Sequence, residues 1–209
     1  MTSEPDPGLG GFARPGEPVP DVTDIPLSPR PRDYQLLVPR DWFRVDLVRD
    51  RWRGQLKTFV DLQTDGKSVP AETKRGVWTA LRNTAEAGLA HGAMEFYLRP
   101  ELDEGLPIPA SLLVSLIPTP GARSETSQSL ASSLVEREAD QGRTAEVSAI
   151  VLPAGQAVRV LRATSMDLHV HMPGGVGYLV LSFSAPVNGV AGSMRRLCDA
   201  IAESLRWIM

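Results

Sequence analysis

Residues 145–184 decide the fold and read AEVSAIVL, PAG, QAVRVLRAT, S, MDLHVHM, PGGV and GYLVLSFS. In the longer runs, apolar and β-branched residues are interleaved with polar ones, a pattern typical of half-buried strands. The short segments PAG and PGGV contain the proline and glycine that favour tight turns. Strands joined by tight turns lie antiparallel to each other. We therefore predict an antiparallel meander of four strands: Ala145–Leu152, Gln156–Thr164, Met166–Met172 and Gly177–Ser184.

An amphipathic helix is predicted after the meander, at the end of the chain. Its apolar stripe comprises Met194, Leu197, Ile201, Leu205 and Ile208, and charged side chains occupy the opposite side. A helix with one apolar stripe has to cover an apolar surface, and the preceding sheet provides one.

The elements before the meander alternate between strands and helices. Two short runs, Tyr34–Val38 and Trp42–Val48, are split by a proline-containing turn and predict a β-hairpin. Apolar residues at helical spacing then predict one helix over Arg51–Leu62 and a second, capped by Ser68, with Pro70 in its first turn and its end at His91–Gly92. Two further strands and a polar helix complete the order, at Ala93–Leu98, Ala110–Ile117 and Ser127–Gln141.

This order predicts an α+β fold in which helices pack on the faces of an antiparallel β-sheet, as one domain over residues 33–209. Residues 1–32 differ from the domain, because they hold eight of the 18 prolines and few apolar side chains. We expect a proline-rich flexible tail. An alternative is that its segment Ile25–Pro31 docks on the domain or on a partner.

Composition excludes several classes of protein. A formal net charge of −3 argues against a generally basic nucleic-acid binder. The single cysteine, Cys198, excludes an internal disulfide framework. No apolar run approaches the roughly 20 residues that membrane insertion requires. The first residues are acidic where a secretory signal is basic, so we expect a cytoplasmic protein.

The sequence carries no recognisable catalytic motif. A Gly-x-Ser-x-Gly pentapeptide is absent, and the glycines at 174, 175 and 177 have no lysine after them and fit a hairpin turn. Cys198 adjoins the apolar stripe of the last helix, which predicts an inert, partly buried thiol. We expect the acidic pairs Asp103–Glu104 and Glu136 with Glu138 to be solvated. These observations predict a protein that is not an enzyme and needs no cofactor.

His169 and His171 form the one candidate metal site. They stand two apart on a predicted strand, so both imidazoles point to the same face. Such a pair can share a metal ion, with His91, Glu95 or Asp167 completing the ligand set. The alternative is an ordinary strand whose polar face is exposed to solvent. No metal is predicted without a further ligand motif.

The best candidate contact surface surrounds the first two tryptophans. Arginines are frequent from residue 40 to residue 53, and aromatic and arginine side chains dominate the energetics of protein interfaces. We therefore predict that Trp42, Arg44, Arg51 and Trp52 form a partner-binding surface. The alternative is that both indoles belong to the outer part of the core.

Two segments carry a resemblance to a known family. The run Tyr34–Trp42 resembles the entry strand of the PsbP-like superfamily, which includes the Ran GTPase release factor. The end, an apolar strand at Tyr178–Phe183 followed by Ser184-Ala185-Pro186 and an amphipathic helix, is also similar. The resemblance implies an α/β/α sandwich around an antiparallel sheet, and a protein that binds or adapts other proteins without shared catalytic residues. The helical stretch 51–92 is longer than the family's simplest forms.

These observations predict a non-catalytic protein-binding adaptor, chaperone or accessory subunit of a bacterial assembly. Its partner is another protein, which we expect to belong to a secretion system or a multi-subunit assembly. The alternative is a small-molecule- or metal-binding protein, or an enzyme, that uses the face of His169 and His171. A third possibility is a subunit that assembles with copies of itself into a homo-oligomer.

Overall fold

The computed structural model of the protein describes residues 31–100, 108–119 and 126–209. Nearly all of the predicted tail and the acidic loop with Asp103–Glu104 lie outside these residues. The elements in chain order are β1 (Asp33–Gln35), β2 (Phe43–Asp46), α1 (Trp52–Thr64), α2 (Ala71–Ala90), β3 (Ala93–Leu98), β4 (Ser111–Pro118), α3 (Ser127–Asp140), β5 (Glu146–Leu152), β6 (Gly155–Leu161), β7 (Ser165–His171), β8 (Gly177–Ser184), α4 (Gly192–Glu203) and β9 (Arg206–Ile208).

Seven strands form one antiparallel sheet in the order β2-β3-β4-β8-β7-β6-β5. The predicted meander from β5 to β8 is confirmed, and each of its strands pairs with the next. The α+β class and the largely antiparallel sheet are therefore confirmed.

Helices cover both faces of this sheet. On one face, α4 buries Cys198 and Ile201 against apolar side chains of the central strands, such as Leu168 and Leu181. On the other face, the pair α1–α2 packs on β2 and β3, and α3 packs on β5 and β6. Because β-strand side chains alternate between faces, each strand contributes to separate clusters above and below the sheet.

The predicted hairpin between the first two strands is wrong. β1 pairs with β9 in a separate two-stranded sheet, in which Asp33 lies opposite Ile208 and Gln35 opposite Arg206. β2 instead pairs with β3 at the edge of the main sheet. Each of these strands can form backbone hydrogen bonds with any strand that comes beside it. The short turn between β1 and β2 does not determine which strand becomes the partner. We call the β1–β9 pair the terminal ribbon.

The terminal ribbon also corrects the predicted C-terminal helix, which ends at Glu203 rather than continuing to Ile208. Leu205 is fully buried, but Ile208 is 47% exposed because it lies in β9. The predicted apolar stripe thus spans a helix and a strand. The backbone N–H of Arg32 donates to Ile208 O at 2.8 Å, so the ribbon's hydrogen bonding begins inside the segment predicted as tail.

The second helix starts later than its sequence suggests. Ser68 does not cap it; Pro70 occupies the capping position and offers no side-chain hydrogen bond. The end of α2 is confirmed at His91, where Gly92 adopts a φ of +79°. Glycine reaches this left-handed conformation without the steric cost of a side chain.

Across the described ranges, no helix has both the length and the apolar character that a membrane crossing requires.

Candidate functional site

A cavity of about 300 Å³ opens between the terminal ribbon and the main sheet. Its apolar side includes Met94, Leu116, Met172 and Trp207, which come from β3, β4, the β7–β8 connection and β9. Its polar side comes from β1 and the residue before it, from β2 and from β3, and comprises Arg32, Asp33, Tyr34, Arg44, Asp46 and Glu95. The cavity therefore exists only because the two ends of the domain meet.

Glu95 is the centre of the polar side. Its Oε2 accepts hydrogen bonds from the phenol of Tyr34 at 2.8 Å and from that of Tyr97 at 3.0 Å. Its Oε1 accepts from Nη2 of Arg44 in a close ion pair. The Glu95 side chain is only 13% exposed, so these three donors replace the water that a carboxylate would otherwise bind.

The sheet itself brings these side chains together. A register irregularity between Ala93 and Glu95 breaks the pairing of β3 with β4. Beyond it, Glu95 and Tyr97 are two residues apart and share one face, and Arg44 lies directly opposite Tyr97 in the β2–β3 ladder. Tyr34 arrives from the terminal ribbon and closes the cluster.

Both phenols are held in the protonated, donating form. Burial and the neighbouring Glu95 carboxylate raise the pKa of Tyr34 well above its ordinary value. The same causes raise the pKa of Tyr97 to about 12. Ionising either phenol would place a second negative charge beside Glu95 in a poorly solvated site. Both phenols therefore donate hydrogen bonds to the Glu95 carboxylate throughout the neutral pH range.

Arg44 is the exposed member of the cluster. Its side chain is 59% exposed although one guanidinium nitrogen is bound to Glu95. A guanidinium carries five N–H donors in a planar fork, so the ion pair with Glu95 holds the group in place and leaves other donors for a ligand. The geometry presents a positioned cation at the wall of a partly apolar cavity.

The residues described as lining the cavity include no serine, cysteine, histidine or lysine. Carboxylates and a phenol, which are nucleophiles in some enzymes, do line it, and among them Tyr34 is hydrogen-bonded to Glu95. The groups that line the cavity can also bind by ion pairing, hydrogen bonding and apolar contact.

The predicted partner-binding residues are not gathered on one surface. Trp42 is 6% exposed in the core beneath α4, and Trp52 is 4% exposed in the core of α1 and α2. This burial agrees with the alternative prediction, in which both indoles pack in the core. Arg44 and Arg51 are the exposed members of the set. Only Arg44 lines the cavity, and the guanidinium of Arg53 lies 4.3 Å from the Trp52 ring.

His169 and His171 do share one face of β7, as predicted, but both side chains are only partly exposed. The Nε2 of His171 lies 3.3 Å from Ser127 Oγ at the start of α3, and its ring contacts Tyr178 edge-on with centroids 4.8 Å apart. Burial lowers the pKa of His169, and the nearby Asp167 partly opposes this effect. Both imidazoles are thus packed between the sheet and a helix.

The possible additional metal ligands are engaged elsewhere. The ring of His91 lies 2.8 Å from the carbonyl of Ala87, Glu95 belongs to the tyrosine cluster, and Asp167 binds Arg162 at 2.7 Å. Within the described part of the chain, no group of three or more His, Cys, Asp or Glu side chains has the arrangement of a metal site.

A second ion-pair cluster lies under α3 and corrects the prediction that Glu138 is solvated. Glu138 is 3% exposed and accepts two hydrogen bonds from Arg162, at 2.7 and 2.8 Å, and two from Arg143, at 2.6 and 3.0 Å. These arginines lower the pKa of Glu138 to about 2. The cluster joins α3 to β6 and β7, and its groups saturate one another, which indicates a structural role.

The tyrosine cluster has little signal in the sequence. Tyr34 and Tyr97 lie in predicted strands, and the sequence predicts for Glu95 only a possible role as a metal ligand. The one local signal is the spacing of Glu95 and Tyr97, because residues two apart on a strand share a face. No protein-family profile matches the sequence, and no curated protein matches it.

Proposed function

We propose that the protein is a non-catalytic protein-binding domain, an adaptor or accessory subunit, and that the cavity beside the terminal ribbon receives a segment of its partner. The observation that carries this proposal is the arrangement at Glu95, where two tyrosines and one arginine saturate the carboxylate while the arginine remains 59% exposed. Arginines oriented in this way are frequent at the energetic centres of interfaces.

The chemistry of the cavity indicates what the partner segment carries. Arg44 offers donors to a carboxylate or to backbone carbonyl groups. Trp207, Met94 and Met172 offer apolar and polarizable contact surface next to it. A segment with an apolar side chain can contact this wall, and an acidic residue next to it can bind the exposed guanidinium of Arg44. The partner is therefore expected to insert one anchor side chain and pair its neighbouring acid with Arg44.

The volume of the cavity suits an anchor of this kind. At about 300 Å³ it lies at the lower end of the range for small-molecule sites. Interfaces commonly bury one or two large side chains in such pockets and surround them with weaker contacts.

Charge reversal at Arg44 tests the proposal. The full-length chain is crosslinked in its native host, and the proteins joined to the wild type, Arg44→Glu and Arg196→Glu are compared. Arg196 is an exposed arginine of α4 outside the cavity and serves as the matched control. We expect Arg44→Glu to lose a specific crosslinked partner that both other chains retain. Equal recovery by all three chains contradicts the proposal.

Arg51→Glu extends this experiment to the wider surface predicted from the sequence. Loss of the same partner through this variant indicates a surface that continues from the cavity to the start of α1. Retention restricts the contact to the cavity.

A second candidate function is binding of a small molecule in the same cavity, favoured by its indole and methionine wall. A screen of small acidic amphipathic compounds by thermal shift distinguishes the two functions. A compound that raises the melting temperature of the wild type but not of Arg44→Glu supports the second function, especially where no protein partner is captured.

Two wider inferences accompany the adaptor proposal. We place the protein in the cytoplasm, since a chain with one cysteine has no internal disulfide framework of the kind that is common in small secreted domains. We also infer a relation to the PsbP-like superfamily, since helices on both faces of an antiparallel sheet match the sandwich that the resemblance implies. Fractionation of host cells tests the first inference.

A further inference from the structure

The two edges of the main sheet differ. At the β2 edge, four residues long, the outward N–H of Asp46 donates to the side chain of Gln55 at 2.9 Å. The opposite edge, β5, is seven residues long and contains no lysine or proline. Glu146, at its beginning, is its only charged residue. Proteins usually protect edge strands with charge, proline or a covering segment.

The phase of the hydrogen bonding identifies the free groups of β5. The N–H of Arg162 donates to Ser165 O, so even-numbered residues of β6 bond to β7 and odd-numbered residues bond to β5. In the register of β5 with β6, the bonded residues of β5 are the even-numbered ones. Val147, Ala149 and Val151 therefore direct both N–H and C=O away from the sheet. Within the described ranges, no group binds them.

Helix α3 adds an uncharged stripe beside this edge. Gln128 lines a surface depression together with Val151 of β5. Arg137 lies on the side of α3 that faces β7, where its charge helps to lower the pKa of His169. Gln128 and Arg137 therefore mark opposite sides of α3. Ser132, Val135 and Ala139 follow Gln128 at helical spacing and are exposed. Val135 is 51% exposed, and Val151 is 82% exposed.

We propose that β5 and this stripe of α3 form a homodimer interface, occupied by a second copy of the chain. In an antiparallel pair with its two-fold axis at Ala149, Val147 of each copy lies opposite Val151 of the other. The free groups of these residues then exchange six backbone hydrogen bonds, as the pairing geometry requires. Each Glu146 lies opposite Leu152, so no like charges meet.

The helices favour a second copy over a foreign peptide strand. Strands are about 4.8 Å apart, and α3 covers β5 and β6, so the two-fold axis places the copies of α3 about 10 Å apart. This separation is typical of packed helices, and the small side chains Ser132 and Ala139 permit it. A single added strand would satisfy the backbone of β5 but leave Val135 exposed. A second copy covers both elements.

The test measures the mass of the full-length chain by light scattering over a wide concentration range. We expect the wild type to approach twice the chain mass of 22.7 kDa as concentration rises. Val151→Lys and Val135→Glu each place a charge in the interface and should weaken the dimer by about tenfold or more. Leu62→Lys changes an equally exposed apolar residue of α1 and should leave the dimer intact.

Folding is checked by the melting temperatures of the variants at concentrations low enough for the wild type to be monomeric, where they are expected to match the wild type because Val151 and Val135 are exposed in the single chain. Ala149→Pro provides an independent variant, since it removes one outward N–H of each copy at a position where an edge strand accepts proline. A wild type that stays monomeric overturns the proposal and leaves the edge to a strand of another protein. A dimer that Val151→Lys and Val135→Glu both leave unchanged also overturns it.

Discussion

Substituting Glu138 by glutamine tests whether the buried ion-pair cluster holds α3 on the sheet. Glutamine keeps the size of the side chain but removes its charge and part of its acceptor capacity. In the wild type, four hydrogen bonds from two arginines end on the carboxylate. The variant therefore leaves Arg162, which is 17% exposed, with Asp167 as its remaining charged partner.

The expected cost follows from the exposure of the two arginines. Removing one partner of a buried ion pair destabilises a protein by about 3 to 5 kcal/mol. Arg143 is 47% exposed and regains water, and Arg162 keeps Asp167, so we expect the lower end, about 3 kcal/mol. With a urea slope of about 2 kcal/mol per M, the midpoint of unfolding falls by about 1.5 M.

The dependence on pH gives the prediction a second, independent readout. The pKa of Glu138 is about 2 in the folded protein, against 4.5 ordinarily. Its charge therefore contributes stability that is complete above pH 4.5 and is lost as the pH falls toward 2. The difference in the free energy of unfolding between wild type and Glu138→Gln should shrink over that interval.

Urea unfolding followed by tryptophan fluorescence and circular dichroism measures both effects. Glu136→Gln is the control, because Glu136 is exposed on the same helix. A loss in Glu138→Gln no larger than in this control, or a loss that does not change between neutral and acidic pH, would refute the reasoning.

Four further predictions concern other parts of the fold. Gly92→Ala should cost about 1 to 3 kcal/mol in thermal unfolding, because it forces an L side chain into a positive φ and places its Cβ 2.5 Å from the carbonyl oxygen of Leu116. By contrast, Gly76→Ala, in the open first half of α2, should add about 0.5 to 1 kcal/mol in the same measurement. Tyr97→Phe should cost about 1 kcal/mol near neutral pH in urea unfolding; the stability from the protonated phenol is present below pH 10 and is lost as the pH rises toward 12. Burial raises the pKa of Cys198 to about 12, so a thiol reagent at mildly alkaline pH should modify it only after unfolding, which absorbance of the released chromophore detects.

The elements that the sequence predicted well are those with local signals. The strands β5 to β8 have alternating patterns and tight turns, and α2 has an apolar stripe with a glycine at its end. These features depend on residues within a few positions of each other. The start of α2 was placed too early because a suitable capping residue, Ser68, lies two residues before the proline that occupies the capping position.

The elements that were mispredicted depend on distant partners. Nothing near β1 indicates that Asp33 pairs with Ile208, and Arg206–Ile208 continues the apolar stripe of α4 closely enough to resemble its last turn. The tyrosine cluster is hidden for the same reason, since its four residues come from three strands. Of the predicted partner-binding residues, Arg44 alone lies at the cavity, because a tryptophan pattern does not distinguish a core indole from an exposed one.

The terminal ribbon also sets an order of events during synthesis. β1 is made first among the strands, but its partner β9 is made only after every strand of the main sheet. Closing so long a loop is slow compared with forming the hairpins of the meander. The walls of the cavity, which include Tyr34 and Trp207, therefore cannot meet before residue 207 has been made. The cavity becomes available for binding only when the sheet is complete, so occupancy of the cavity distinguishes a finished domain from an unfinished one.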